Sequence, residues 1–351
     1  MKKFCVVGIM SGTSLDGLDI AYCEFWKAQD CWQYKIVNAE TNHYTQEILD
    51  KISNAHVLTG IELIKLDYEY GSYIGKSVKS FIQKYKLKVD FISSHGHTVF
   101  HNPTERFTLQ IGNGAFITAE TGLQSISNFR LLDVALNGQG APLVPSGEIH
   151  LFSQYDYCLN LGGFANISYT HYKKRIAYDI CPVNYVINHY SRKLGFDYDK
   201  DGGLASKGIV NKPLLEKLNK LEYYQLAYPK SLGREWVEKY VFSMLEDTKL
   251  SVEDKLRTFY EHIVRQLSIC FTGSDKKVLV TGGGAHNAFL ITLLKKKVSH
   301  RIIIPEPELV DYKEAMIFAF LGLLHQRGEK NCLASVTGAK HDNMGGVSFV
   351  I

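Results

Sequence analysis

The 351-residue sequence contains no CxxC pair, no GxxxxGK[ST] loop, no low-complexity tract and no long apolar run. Its seven cysteines (Cys5, Cys23, Cys31, Cys158, Cys181, Cys270, Cys332) are odd in number and scattered. That spacing disfavours a disulfide framework or a cysteine-built zinc site and suits a reducing, cytoplasmic setting. The longest apolar stretch, Ala315 to Leu324, falls far short of the ~20 residues that span a bilayer. Nor is there an excess of one charge. Forty basic residues face 36 acidic ones for a net +4, so no strong field draws nucleic acid or an acidic membrane. Met1-Lys2-Lys3 and the apolar residues after it could imitate an export signal. That stretch is short, holds Gly8 and runs into Asp16 and Asp19, so it reads as a buried strand.

What is present is a globular composition, 45% hydrophobic and 22% charged, on a chain long enough for about two domains. The chain opens as strand, glycine turn, strand: Phe4–Ile9, Ser11–Gly17, Leu18–Phe25, then a third strand at Tyr34–Ala39. Ile61, Ile64, Tyr68, Gly71, Gly75, Val78, Ile82 and Tyr85 recur at helical spacing. A short strand at Asp90–Ser93 is followed by what reads as a loop rich in histidine and asparagine. The grammar then restarts. Asp156–Leu161 is a strand, Gly162-Gly163 a turn, Ala165–Thr170 and Arg175–Asp179 two more strands, and Pro182–Leu194 a helix with Pro at its first turn. Residues 197–235 read as an inserted loop-and-helix segment. A helix from Leu256, a strand at Lys277–Thr281 and a nearly all-apolar helix from Tyr312 to about Gln326 complete the chain. Two copies of one pattern predict a duplicated α/β fold with two lobes and a cleft between them. Gly138-Gln-Gly-Ala-Pro-Leu-Val-Pro145 marks the boundary, giving lobes 1–145 and 146–351.

Four stretches carry candidate chemistry. In Ser11-Gly-Thr-Ser-Leu-Asp-Gly17 glycines permit close approach of an anion, while hydroxyls and N–H groups can donate to phosphate; an ordinary hairpin would satisfy the same turn. Gly282-Gly283-Gly284 lies between a strand and a helix, where a nucleotide can rest on the turn, but GxGxxG spacing is missing. Asp179 is either the cap of the following helix or a general base. Ser94-His95-Gly96-His97-Thr98 with His101 lacks an acidic or cysteine partner to complete a metal shell, so hydrogen bonding to a polar ligand or loop packing is the better reading. Cys181 beside a helix start has no paired histidine and reads as a buried thiol.

Taken together, these stretches resemble the anhydro-N-acetylmuramic acid kinases, a branch of the hexokinase, acetate kinase, heat-shock chaperone and actin superfamily. The matching runs are Gly8–Gly17, Ser94–Thr98, Phe107–Asn113, Asn128–Arg130, Asp133–Ala135, Gly138–Pro145, Leu159–Ile167, Pro229–Glu235, Gly282–Asn287, Glu314–Met316 and Val336–Gly338. The resemblance implies an actin/hexokinase-like ATPase fold that uses ATP and Mg²⁺ on an amino sugar, with no nucleic acid or membrane partner; it leaves a homodimer open. Its implied reaction opens an anhydro ring with water and phosphorylates the freed O6. On this resemblance Asp179 and Glu314 are catalytic, and His95, Thr98, Arg130 and Asn184 bind the sugar. Gly12, Thr13, Ser14, Leu15, Asp16, Gly17, Leu18 and Asp19 hold the phosphates, with Asp16 also the Mg²⁺ ligand, and Gly282, Gly283 and Gly284 hold the nucleoside. The chain departs from the family pattern at Asp179-Ile-Cys-Pro-Val-Asn184, where Cys181 and Val183 stand in place of glycines. Ile9 occupies the position of the superfamily's first-strand Asp, His97 that of a common Gln, and Phe100 that of a common Arg. Those departures leave two alternatives: a catalytically weak sugar- or nucleotide-binding relative, or a kinase for a different sugar.

Overall fold

The computed structural model describes residues 2–12 and 15–351. It divides into two compact units, Met1–Ser153 with Tyr312–Ile351, and Gln154–Asp311. The sequence placed one boundary near 145 and did not show that the C-terminal segment returns to the first unit.

The first unit is built on β1 (Phe4–Ser11), β2 (Leu18–Ala28) and β3 (Cys31–Asn42), an antiparallel meander. β4 (Phe91–Asn102) pairs in parallel with β1 on the other side, and β6 (Ser125–Ser127) in parallel with β4. β5 (Phe107–Ile111) forms a hairpin on the outer half of β4, and β12 (Val347–Phe349) closes the sheet against β6. In the second unit β7 (Tyr157–Leu161), β8 (Phe164–His171) and β9 (Lys174–Pro182) form the same meander. There β10 (Lys277–Thr281) pairs in parallel with β7, and β11 (Arg301–Ile303) with β10. Both sheets therefore run third, second and first strand of the meander and then two parallel strands, the duplicated α/β architecture expected. The first strand of each meander is central and so mostly apolar: Val6, Val7 and Ile9 in one, Leu159 and Leu161 in the other, are fully buried.

Helix Gly60–Tyr85 starts on a capping box, Thr59 with Glu62, and stops where Lys86 turns left-handed at φ 52°. Its buried stripe is Leu66, Tyr70, Ile74, Val78 and Phe81, whereas Ile61 and Ile64, expected on it, are exposed. Helix Val252–Cys270, capped by Ser251, buries Leu256, Phe259, Tyr260, Ile263, Val264 and Leu267 in the core of the second unit. Helix Pro307–Gln326 passes from the second unit into the first, and its residues Ala315–Leu321 are buried on every side. Among the described residues no helix is long and apolar enough to cross a membrane.

Two local expectations are corrected. The histidine-rich loop is the outer half of β4, kept extended because His97 pairs with Ser11 on one edge and with Ile111 on the other. Pro182 ends β9, opposite Phe164, so the next helix begins at Asn184. The segment 197–235 carries one regular helix, Lys212–Asn219, among short 3₁₀ turns.

Candidate functional site

In the first unit, chemistry collects where β1 ends beside His97, midway along β4. Ser11 Oγ lies 3.0 Å from His97 Nδ1 and 2.8 Å from Tyr44 OH, which lies 2.8 Å from Tyr70 OH. Ser11 is 1% exposed, so its hydroxyl serves this buried chain and is not offered to phosphate. Burial pushes His97 down to about 4, leaving a neutral ring at physiological pH.

Gly12 leads into the first glycine loop, where Leu15 donates its N–H to Gly12 O at 3.4 Å and has φ 62°. Thr13 and Ser14 lie outside the described residues. Asp16 is exposed and its carbonyl pairs with His43 Nδ1 at 2.9 Å; Gly17 is buried. Leu18 is a core side chain of β2, so only its backbone could face a ligand. Asp19 Oδ1 accepts from Thr41 Oγ1 at 2.6 Å. Among the described residues no group of three or more His, Cys, Asp or Glu is placed to hold a metal ion. Magnesium bound through substrate phosphates needs only one or two carboxylates, so the acidic ends of this loop fit it chemically.

Arg130 stands just before the short helix Leu131–Ala135. Its Nε donates to His95 Nε2 at 3.0 Å and its Nη1 to Gly140 O at 2.6 Å. Burial lowers its pKa to about 10, while the Glu314 carboxylate favours the charged form. Glu314, half-buried on helix Pro307–Gln326, is itself raised, first by burial, against Lys313 and Arg130. Thr98, half-buried on β4, pairs with Gln110. The structure thus brings His95, Arg130 and Glu314 together. It adds Asp133, to which the sequence reading gave no role. That carboxylate, fully buried, accepts from Gly140 N at 2.8 Å, Thr337 Oγ1 at 2.9 Å and Asn343 Nδ2 at 2.8 Å.

In the second unit Asp179 lies within β9, not at its end. Asn166 pairs with Asp179 and Ala165 with Cys181, so Ile180 is the extra residue of a bulge. Its main chain is clamped from both sides, with the N–H donating to Lys230 O at 3.2 Å and the carbonyl accepting from Tyr223 OH at 2.6 Å. Its Oδ2 accepts from Leu232 N at 3.0 Å. The helix that follows has Val183 at its N-cap with no side-chain cap bond, so Asp179 does not cap it. Burial pushes Asp179 up to about 6, partly offset by the Leu232 N–H.

Cys181 and Val183 are fully buried, and burial holds the Cys181 thiol well above its ordinary range. The N–H groups of Val183, Asn184 and Tyr185 donate to the Gly162 and Gly163 carbonyls at 2.8–3.2 Å. Asn184 Nδ2 donates to Leu161 O at 3.1 Å, which sets it beside Gly283 and Gly284. Gly282 has φ 80°, and a Cβ on Gly284 would stand 2.8 Å from Leu161 Cβ, so this turn needs glycine merely to lie on β7. Asn287 caps helix Ala288–Lys297 through Leu290 N and donates to Tyr260 OH at 2.7 Å. Tyr260 in turn donates to the buried Asp199 at 2.9 Å. Neither Tyr260 nor Asp199 stood out in the sequence, because one reads as a core aromatic and the other as a loop acid.

A family model, Anhydro-N-acetylmuramic acid kinase, matches residues 4–350. An anhydro-N-acetylmuramic acid kinase of Pasteurella multocida is 35% identical over 359 residues, covering 95% of this chain and 93% of that protein. Those of Clostridioides difficile and Vibrio parahaemolyticus are 34% and 33% identical, each alignment covering 95% of this chain and 95% of the relative. The chain is a member of the anhydro-N-acetylmuramic acid kinase family.

Proposed function

We propose that this protein converts 1,6-anhydro-N-acetylmuramic acid, water and ATP to N-acetylmuramic acid 6-phosphate and ADP, a step in cytoplasmic recycling of cell-wall sugar. Family membership supports the reaction, and the seven free cysteines suit a reducing compartment. Asp179 carries the mechanism. A carboxyl raised to about 6 is ionised at neutral pH yet basic enough to take a proton from water as that water attacks C1. The C1–O6 bond breaks, and O6 takes the γ-phosphoryl group, so no separate strong acid is required. Arg130 and Glu314 orient the sugar. The glycine loop Gly12–Asp19 holds the phosphates and Gly282–Gly284 the nucleoside, with Asn184 steadying that turn. Magnesium, held by Asp16 or Asp19, supplies charge neutralisation at the phosphates.

Attack by a single activated water inverts the anomeric centre. Purified protein incubated with Mg-ATP and the anhydro sugar should give a sugar phosphate one water heavier than direct phosphorylation, seen by mass spectrometry. Its first-formed anomer, seen by NMR before mutarotation, should be α. Product as an equilibrium anomer mixture from the earliest time point would count against the mechanism. A second reading, a weak sugar-binding relative, is favoured by one feature: the N–H groups at 183–185 are occupied by Gly162 and Gly163 and offer phosphate nothing. Sugar binding without product would select that reading, and product only from other sugars would select a different substrate.

A further inference from the structure

The imidazole of His95 is occupied on both sides. Its Nδ1 lies 2.9 Å from Gly96 O, and a carbonyl can only accept, so Nδ1 bears the proton. Its Nε2 lies 3.0 Å from Arg130 Nε, which can only donate, so Nε2 offers a lone pair. Both requirements are met by the neutral Nδ1–H tautomer alone. The ring is 3% exposed and tilted on Phe318 with centroids 4.6 Å apart, so no face remains for a ligand. Gly96 holds its carbonyl in place through φ 73°, where a side chain would strike the Ile111 carbonyl. On the other side of the guanidinium, Gly140 O is held because Gly140 N is fastened to buried Asp133. Arg130 Nε and one N–H of Nη1 are thereby spent on the protein; among the described residues Nη2 makes no hydrogen bond, and the Glu314 carboxylate acts on the same guanidinium.

We propose that His95 is a positioning residue: its neutral ring accepts Arg130 Nε–H and aims Nη2 at the sugar, and it does not touch the sugar itself. The proposal rests on the kinase reading above and gives His95 a different part from direct sugar contact. Burial and the neighbouring guanidinium, with smaller repulsion from His97 and His101, hold the ring far below its ordinary pKa, which keeps the lone pair available. Against burial, the Glu314 carboxylate first, then Cys332 and Asp133, favour the charged guanidinium.

A double-mutant cycle separates aiming from contact. His95→Phe keeps the ring on Phe318 and deletes the acceptor; Arg130→Lys deletes the Nε–H. With 1,6-anhydro-N-acetylmuramic acid as probe, His95→Phe should weaken sugar binding about 10- to 100-fold in the Arg130 protein, the loss expected for a hydrogen bond to a charged group. On the Arg130→Lys background it should add no more than about 2-fold, and ATP affinity should stay within about 2-fold throughout. Equal losses on both backgrounds, or no loss on either, would overturn the proposal. ¹⁵N NMR of histidine-labelled wild type gives a readout independent of folding of the variants and of catalysis. The His95 signal should show Nδ1 protonated and Nε2 bare from pH 5 to 8. An Nε2–H tautomer or an imidazolium in that range would also overturn it. A wild type that leaves the sugar unphosphorylated would defeat the kinase reading, and the tautomer measurement would still decide the His95–Arg130 pair.

Discussion

At the scale of single residues, Asp179 carries the reading. Its carboxyl is raised from 3.8 to about 6, chiefly by burial, so the fold binds its proton more tightly than the unfolded chain does. The stability this adds is complete below pH ~4 and is lost as pH rises through ~6. A shift of about two units corresponds to at most about 3 kcal/mol. Asp179→Asn should therefore raise the thermal midpoint at pH 8 relative to wild type, with the gain vanishing near pH 4. For activity the sign is reversed: kcat/KM of the wild type should rise with pH on a limb near 6, as the base loses its proton. The same residue marks how far sequence could be read. Position, acidity and the family pattern singled it out, but its burial and the bulge at Ile180 depend on residues 223–232, whose packing no local pattern announces.

At the scale of elements, the meanders and long helices were legible because each carries either an apolar run or apolar residues at helical spacing. Strand β10 matches the expected Lys277–Thr281 at both ends. The outer half of β4 was not legible, because Ser94-His-Gly-His-Thr98 has the composition of a loop. Pairing on both edges and satisfied polar side chains override that preference. Gly96 lets the strand take this path. Gly96→Ala would place a side chain at φ 73° against the Ile111 carbonyl and should cost at least ~1 kcal/mol in chemical denaturation, with sugar affinity falling as His95 shifts. In the helix Gly60–Tyr85 the apolar period was legible but its first turns were not. Ile61 and Ile64 fit the stripe by spacing and yet face solvent.

At the scale of the whole molecule, the duplication was legible as repeated grammar, and the two sheets carry one topology. The return of Tyr312–Ile351 to the first unit was not legible, since it depends on contacts far apart in sequence. One such contact is the buried pair Lys313 Nζ–Glu148 Oε1 at 2.8 Å, with side chains 3% and 4% exposed. It joins helix Pro307–Gln326 to helix Val144–Leu151. Lys313→Met alone leaves a buried carboxylate without its cation and should cost about 3–5 kcal/mol in guanidinium unfolding. Adding Glu148→Leu should recover most of that loss, because an apolar pair of similar volume replaces two desolvated charges. The proposed mechanism stands on Asp179 as the base that activates water. The most direct test is steady-state turnover of Asp179→Asn with Mg-ATP and the anhydro sugar, alongside its ATP affinity. With Asp179 as the base, turnover should fall by at least ~10²-fold with ATP binding changed by no more than about 2-fold, and undiminished turnover would contradict that role.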